Sequence, residues 1–263
     1  MKLNISILVV LTAILAHTAP AQELSLNGEW SFALDPLSRG EAMGWHQPWK
    51  YNEKDSSYSP ERFDKVQVPH CWSTDVRYNF VGKGWYRKAF KLAEAASNKL
   101  IRLRFEAVHY QCRIFINGEL AAYHTGGYTP FTVNITRHIK YNQVNFISVE
   151  VDNSWTELTI PGARIGDNPS AQFYPWYEFG GITRDVSLLV TDKIYIKNQK
   201  IESAPNLSTG TAQIKMITWV ENRSLNDANI TVKPFILNRA TGKPVQHKQT
   251  PEISIGIKAF TQE

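Results

Sequence analysis

The residues best suited to chemistry stand in one short run, Gly166-Asp-Asn-Pro-Ser-Ala-Gln-Phe-Tyr-Pro-Trp-Tyr-Glu-Phe, which ends at Phe179. Asp167 and Glu178 put a carboxylate near each end, and Phe173, Tyr174, Trp176 and Tyr177 set four rings between them. Rings offer flat apolar platforms and carboxylates accept hydrogen bonds from hydroxyl groups, a mixture that suits a carbohydrate. Pro169 and Pro175 block regular structure, so a loop carries these groups. The candidate substrate-binding residues are therefore Asp167, Trp176, Tyr177 and Glu178. His70, His109, His124 and His138 lack metal-ligand spacing, and no Ser-His-Asp set can be assembled. No metal and no cofactor is expected within this chain.

A loop of that kind needs a rigid frame, and the frame is legible from Ala107 to Ile135. Cys112, Ile114 and Ile116 alternate with Arg113, Phe115 and Asn117, the period of a half-buried strand. Asn117-Gly118 is the dipeptide that a two-residue hairpin prefers, because both turn residues take positive φ. Gly126-Gly127 permits a sharp bend, Pro130 is barred from a central ladder, and Phe131, Val133 and Ile135 resume the alternation. His124, just before that corner, reads as a structural hydrogen-bonding group.

Leu100 to Glu106 alternates most cleanly, with Ile101, Leu103 and Phe105 on one face and Arg102, Arg104 and Glu106 on the other. Val144 to Asp152 is a further strand that leads into the irregular stretch from Trp155 to Glu178. Asp35 to Asp64 reads as a long polar surface loop, with Trp45, Trp49 and Tyr51 embedded in it. No segment has the pattern of a long amphipathic helix. Many strands with polar turns predict an all-β jelly-roll sandwich.

Several strings make the prediction more specific. Leu26-Asn-Gly-Glu-Trp-Ser-Phe, Val68-Pro-His-Cys-Trp, Gly84-Trp-Tyr-Arg-Lys-Ala-Phe and His124-Thr-Gly-Gly-Tyr-Thr-Pro-Phe follow one another, and Gly180-Gly-Ile-Thr-Arg-Asp-Val-Ser-Leu closes the set. Together they resemble the N-terminal sugar-binding domain of family 2 glycoside hydrolases, the β-galactosidase, β-glucuronidase and β-mannosidase family. The resemblance implies a galactose-binding-like jelly roll over residues 22–192, whose loop before Gly180 enters the active site of a C-terminal catalytic barrel.

It also implies that both catalytic glutamates belong to that barrel, the acid/base following an Asn. The one Asn-Glu pair here, Asn52-Glu53, sits beside Lys54 and Asp55 and reads as a solvated loop. Relatives carry a substrate-touching Asp shortly before the "G-I-x-R" glycine. Pro175 stands at that position, which leaves Asp167 and Glu178 as the loop's carboxylates.

The remaining bounds agree. Lys2, an apolar run from Ile5 to Ala16 and the small residues Ala19-Pro20-Ala21 form an export signal, cleaved after Ala21, so the product is expected to be periplasmic or secreted. The run is too short to anchor in a bilayer. No membrane association is expected once it is removed. A net charge of +5 arises from scattered Lys and Arg, not from the basic stripe that nucleic acid requires, so nucleic acid is not an expected partner.

Cys71 and Cys112 read as two buried free thiols. From residue 193 to 263 the pattern resembles the start of the family's immunoglobulin-like second sandwich, with strands expected at Thr211 to Glu221, Ala228 to Leu237 and Ile253 to Phe260. Such a sandwich takes about 100 residues and the 71 from 193 to 263 fall short of that, so the expectation is an incomplete domain. The expected partners are thus a β-linked glycoside and a catalytic barrel missing from this chain. The competing reading is a free-standing carbohydrate-binding sandwich without hydrolytic activity.

Overall fold

The computed structural model describes residues 22–49, 63–78, 80–154, 179–232 and 236–243, and the backbone of 253–257. The export signal at 1–21 lies outside the described residues. The architecture is all-β, as the alternation predicted, and two antiparallel sheets make the main sandwich. The smaller sheet orders β1 (Gln22–Ser25), β10 (Val186–Thr191), β5 (Leu100–Phe105) and β8 (Phe131–Asn134). The larger orders β3 (Asp64–Val68), β2 (Gly28–Asp35), β4 (Lys83–Lys91), β9 (Val144–Asp152), β6 (Gln111–Ile116) and β7 (Glu119–Thr125).

Between the sheets lies one continuous core. Ile101, Leu103 and Phe105 of β5 are fully buried, as are Phe32, Tyr86, Ile114, Ile116, Ile147, Val149 and Val151 of the facing sheet. Each such side chain taken from water contributes about 1.5–3 kcal/mol. The β6–β7 turn takes positive φ at Asn117 (54°) and Gly118 (92°), as the dipeptide requires. Asn117 also ties the hairpin down: its Nδ2 donates to His138 O at 2.7 Å and its Oδ1 accepts from the Phe146 N–H at 3.0 Å.

The stretch that begins at Asp35 departs from expectation. Instead of a solvated loop, its described part folds back over the outer face of the larger sheet and closes a second core of Ala33, Trp45, Phe63, Trp85 and Phe115. Trp85 and Phe115 point away from the main core and are only 0% and 3% exposed. Water must be kept off these outward rings, and Trp45 and Phe63 do so. Asp35, also buried, fastens the fold-back: its carboxylate accepts from the backbone N–H of Arg39 and Gly40, both at 2.8 Å, and from the Trp85 Nε1–H at 3.1 Å.

Both cysteines are free thiols. Cys112 is buried, and burial pushes its thiol up to about 12. Cys71 is only half-buried, because it lies on the loop after β3 and not on a strand facing the core.

Beyond the sandwich, β11 (Ile194–Asn206) pairs with β12 (Thr211–Asn222), and β13 (Ala228–Val232) pairs with β14 (Ile253–Ile257). Arg102, expected on a solvated face, lies 4.0 Å over the Tyr195 ring and donates to Thr191 Oγ1. No helix among the described residues is long and apolar enough to cross a membrane.

Candidate functional site

Asp167, Trp176, Tyr177 and Glu178 lie outside the described residues. What the structure describes is the pair of limbs on either side of them, a stem. One limb leaves β9 at Asn153 and the other returns through Gly180 and Gly181 to β10. Both limbs meet one hydroxyl. Ser73 Oγ accepts from the Gly180 N–H at 3.0 Å and from Asn153 Nδ2 at 3.5 Å. Asn153 is fully buried; its Oδ1 accepts from the Gly82 N–H at 2.8 Å, and its own N–H donates to Gly82 O at 3.1 Å.

The returning limb is zipped on two sides. The Trp72 N–H donates to Gly180 O at 2.9 Å and the His70 N–H to Ile182 O at 2.7 Å. On the other side, His109 and Gly181 exchange backbone hydrogen bonds of 2.9 and 3.1 Å. Trp72 is the plate beneath, 0% exposed and stacked on Phe32 with ring centroids 5.5 Å apart. An added Cβ on Gly180 would stand 2.2 Å from the Trp72 indole, so only glycine lets the limb lie this close.

Two rings remain open to water around the stem, Tyr128 at 43% and Phe179 at 39% exposure. Tyr128 packs edge-on against His109 at 5.2 Å, and its carbonyl accepts from Arg184 Nη1 at 3.3 Å. Behind them, His70 Nδ1 shares a 2.7 Å hydrogen bond with the hydroxyl of buried Tyr86. The stem can therefore offer aromatic faces and rigid backbone. It has no pair of opposed carboxylates, and among the described residues no group of His, Cys, Asp and Glu could hold a metal. Ser73, Asn153, His109 and Tyr128 were not singled out as site residues from sequence. Asn153 is the one whose signal was visible, as the polar end of a strand that feeds a long loop.

The stem is a source of acid sensitivity. Burial pushes His109 down from its ordinary 6.5 to about 4, and burial also lowers His70. A histidine held neutral in the fold binds its proton more readily when unfolded. Stability is therefore complete above the unfolded value and falls as pH drops from about 6.5 towards 4. For His109, which is 1% exposed, the loss by pH 4.5 is about 2–3 kcal/mol. Urea unfolding at pH 7 and 4.5 measures it. The His109→Phe variant should show a flatter pH slope, and an unchanged slope would refute the assignment.

His124 makes a hydrogen bond with the backbone of Gly126, as expected of a structural group before the corner. Its ring stacks on Phe131 at 3.7 Å and 14°.

The comparisons with known proteins agree with this frame. Residues 24–192 match the profile of glycosyl hydrolases family 2, sugar binding domain. A beta-galactosidase of Thermoanaerobacter pseudethanolicus is 30% identical over 204 residues, covering 72% of this chain and 26% of its own. A beta-glucuronidase of Felis catus is 27% identical over 214 residues, covering 73% of this chain and 32% of its own. A beta-glucuronidase structure from Ruminococcus gnavus superposes with a TM-score of 0.70 at 21% identity, across 90% of this chain and 39% of that one. The chain thus spans well under half the length of these relatives. With all five sequence strings set in the strands and stem that the profile covers, the chain belongs to glycoside hydrolase family 2 and carries its sugar-binding domain.

Proposed function

We propose that this chain is the N-terminal, non-catalytic part of an exported family 2 enzyme that hydrolyses β-linked glycosides. Residues 193–263 begin its immunoglobulin-like sandwich, and a catalytic barrel follows. In this reading the jelly roll presents the 155–178 segment to the barrel, so that Asp167, Trp176, Tyr177 and Glu178 complete the wall of the sugar pocket. One observation carries the reading: Ser73 gathers both limbs of the segment onto the rigid plate of Trp72. A loop fixed at its root holds side chains at a substrate with less ordering cost than a loose one. The family membership and the relatives' names supply the reaction class. The small-residue site at Ala19-Pro20-Ala21 supports export, which the mature N-terminus should report by starting at Gln22.

The test uses the whole enzyme. Trp176→Ala removes a platform and Glu178→Ala a hydrogen-bond acceptor, each worth about 1–3 kcal/mol at a buried sugar. KM for an aryl β-glycoside should rise about tenfold or more in each variant. An unchanged KM in both would place the segment outside the pocket.

A further inference from the structure

A second site lies away from the stem. β7 and β8 are the outermost strands of their two sheets on one side of the sandwich, and a cleft of about 700 Å³ opens between them. That size falls within the range of about 300–1,000 Å³ that small-molecule sites occupy. Ala122 and Val133 give it an apolar floor, and the stacked pair His124–Phe131 makes a flat wall. Tyr123, 59% exposed, stands on the same strand as a second ring. Arg137, Lys193 and Arg223 line the cleft, and no carboxylate does.

The cations are set by the fold. The Arg223 N–H donates to Lys193 O at 2.7 Å, which holds the start of β11 and the end of β12 together at the rim. Arg223 is compensated by an ion pair with Glu221. Arg137 donates its Nε to His138 Nε2 at 3.1 Å, and neither Arg137 nor Lys193 has a carboxylate partner among the described residues.

We propose that this cleft binds an acidic saccharide, one bearing a hexuronate carboxylate. Arg137 and Lys193, neither paired with a carboxylate among the described residues, select a negative charge. Rings and the polar side chains of Thr132 and Asn134 select sugar faces and hydroxyls, which a bare inorganic anion does not have. None of the lining residues belongs to the stem, so the cleft can bind glycan without taking part in hydrolysis.

Calorimetric titration of the 263-residue chain tests this with four probes: a glucuronic-acid trisaccharide, neutral cellotriose, poly-glutamate and inorganic phosphate. The uronate trisaccharide should bind at least tenfold tighter than cellotriose or phosphate. Lys193→Gln, Arg137→Gln and Tyr123→Ala should each weaken it about five- to tenfold, with far-UV circular dichroism unchanged. Wild-type affinity in the Lys193→Gln/Arg137→Gln double variant would overturn the site. Equal binding of poly-glutamate would reduce it to a general anion patch and overturn the saccharide assignment, and equal binding of cellotriose would overturn the acidic one. The readout is binding alone, so failure here leaves the hydrolase reading of the whole enzyme untouched.

Discussion

Gly181→Ala should destabilise the jelly roll by about 3 kcal/mol, the combined cost of overpacking and of a strained backbone. Gly181 has φ +139°, a region that L side chains rarely adopt, and an added Cβ would stand 2.3 Å from His70 O and 2.8 Å from the Tyr86 hydroxyl. Neither neighbour can retreat. His70 is held by its own N–H bond to Ile182 O, and Tyr86 is fully buried. For a domain of this size the loss corresponds to a fall in Tm of about 10 °C.

Gly44→Ala, in the fold-back over the larger sheet, provides the control. It too has positive φ, +73°, but an added Cβ would meet only Gln47 Cγ at 3.8 Å, an ordinary contact, so only the modest left-handed cost of about 1 kcal/mol applies. Thermal unfolding followed by tryptophan fluorescence compares the two, since Trp30, Trp72 and Trp85 all lie in the jelly roll's cores. Equal losses at both glycines would remove the steric argument. Under the proposed function, Gly181→Ala should also raise KM in the whole enzyme.

How much of this was legible depends on how local the cause is. Ile101, Leu103 and Phe105 announced their strand because alternation is a property of neighbouring residues, and Asn117-Gly118 announced its turn through φ alone. The second core was missed although a signal was present. Trp85-Tyr86 and Phe115-Ile116 are consecutive apolar pairs, and in a strand consecutive residues face opposite ways. Both faces of that sheet therefore had to be covered. The polar residues between Asp35 and Trp45 concealed the cover.

The stem could not be read from pattern. Ser73 contacts partners 80 and 107 residues away, and nothing in the residues beside it marks a hydroxyl that will join two limbs of a loop. The same holds for the β7–β8 cleft. Its cations come from a 3-10 turn after β8 and from the two ends of the β11–β12 hairpin, and only the closed sandwich brings them to one rim. The candidate residues Asp167, Trp176, Tyr177 and Glu178 stand within one short run of sequence that lies outside the described residues.

The largest effect expected is on turnover. Under the proposed function, the 263-residue chain should hydrolyse no aryl β-galactoside, β-glucuronide or β-mannoside at a rate of its own, and a whole protein that carries the proposed barrel should do so readily. Glycoside hydrolysis needs one carboxyl group to protonate the leaving oxygen and a second, roughly 5 to 9.5 Å away, to attack the anomeric carbon or activate water. Several carboxylates among the described residues are already engaged. Glu150 faces Arg113 and Lys83, Asp35 caps the fold-back, Asp64 accepts from the Tyr78 hydroxyl at 2.5 Å, and Asp185 accepts from Asn27 Nδ2. Asp167 and Glu178 lie outside the described residues, and in the proposed reading the opposing wall comes from the barrel. Binding without opposed acid and base gives no acceleration, because the rate follows interactions made in the transition state. Joining the barrel should raise the rate by a factor on the order of 10⁶ or more, the usual floor for enzymes. Assay of both proteins on the three substrates decides it. Robust hydrolysis by the 263-residue chain, abolished by one substitution within it, would require a catalytic pair inside the jelly roll and would end the present reading.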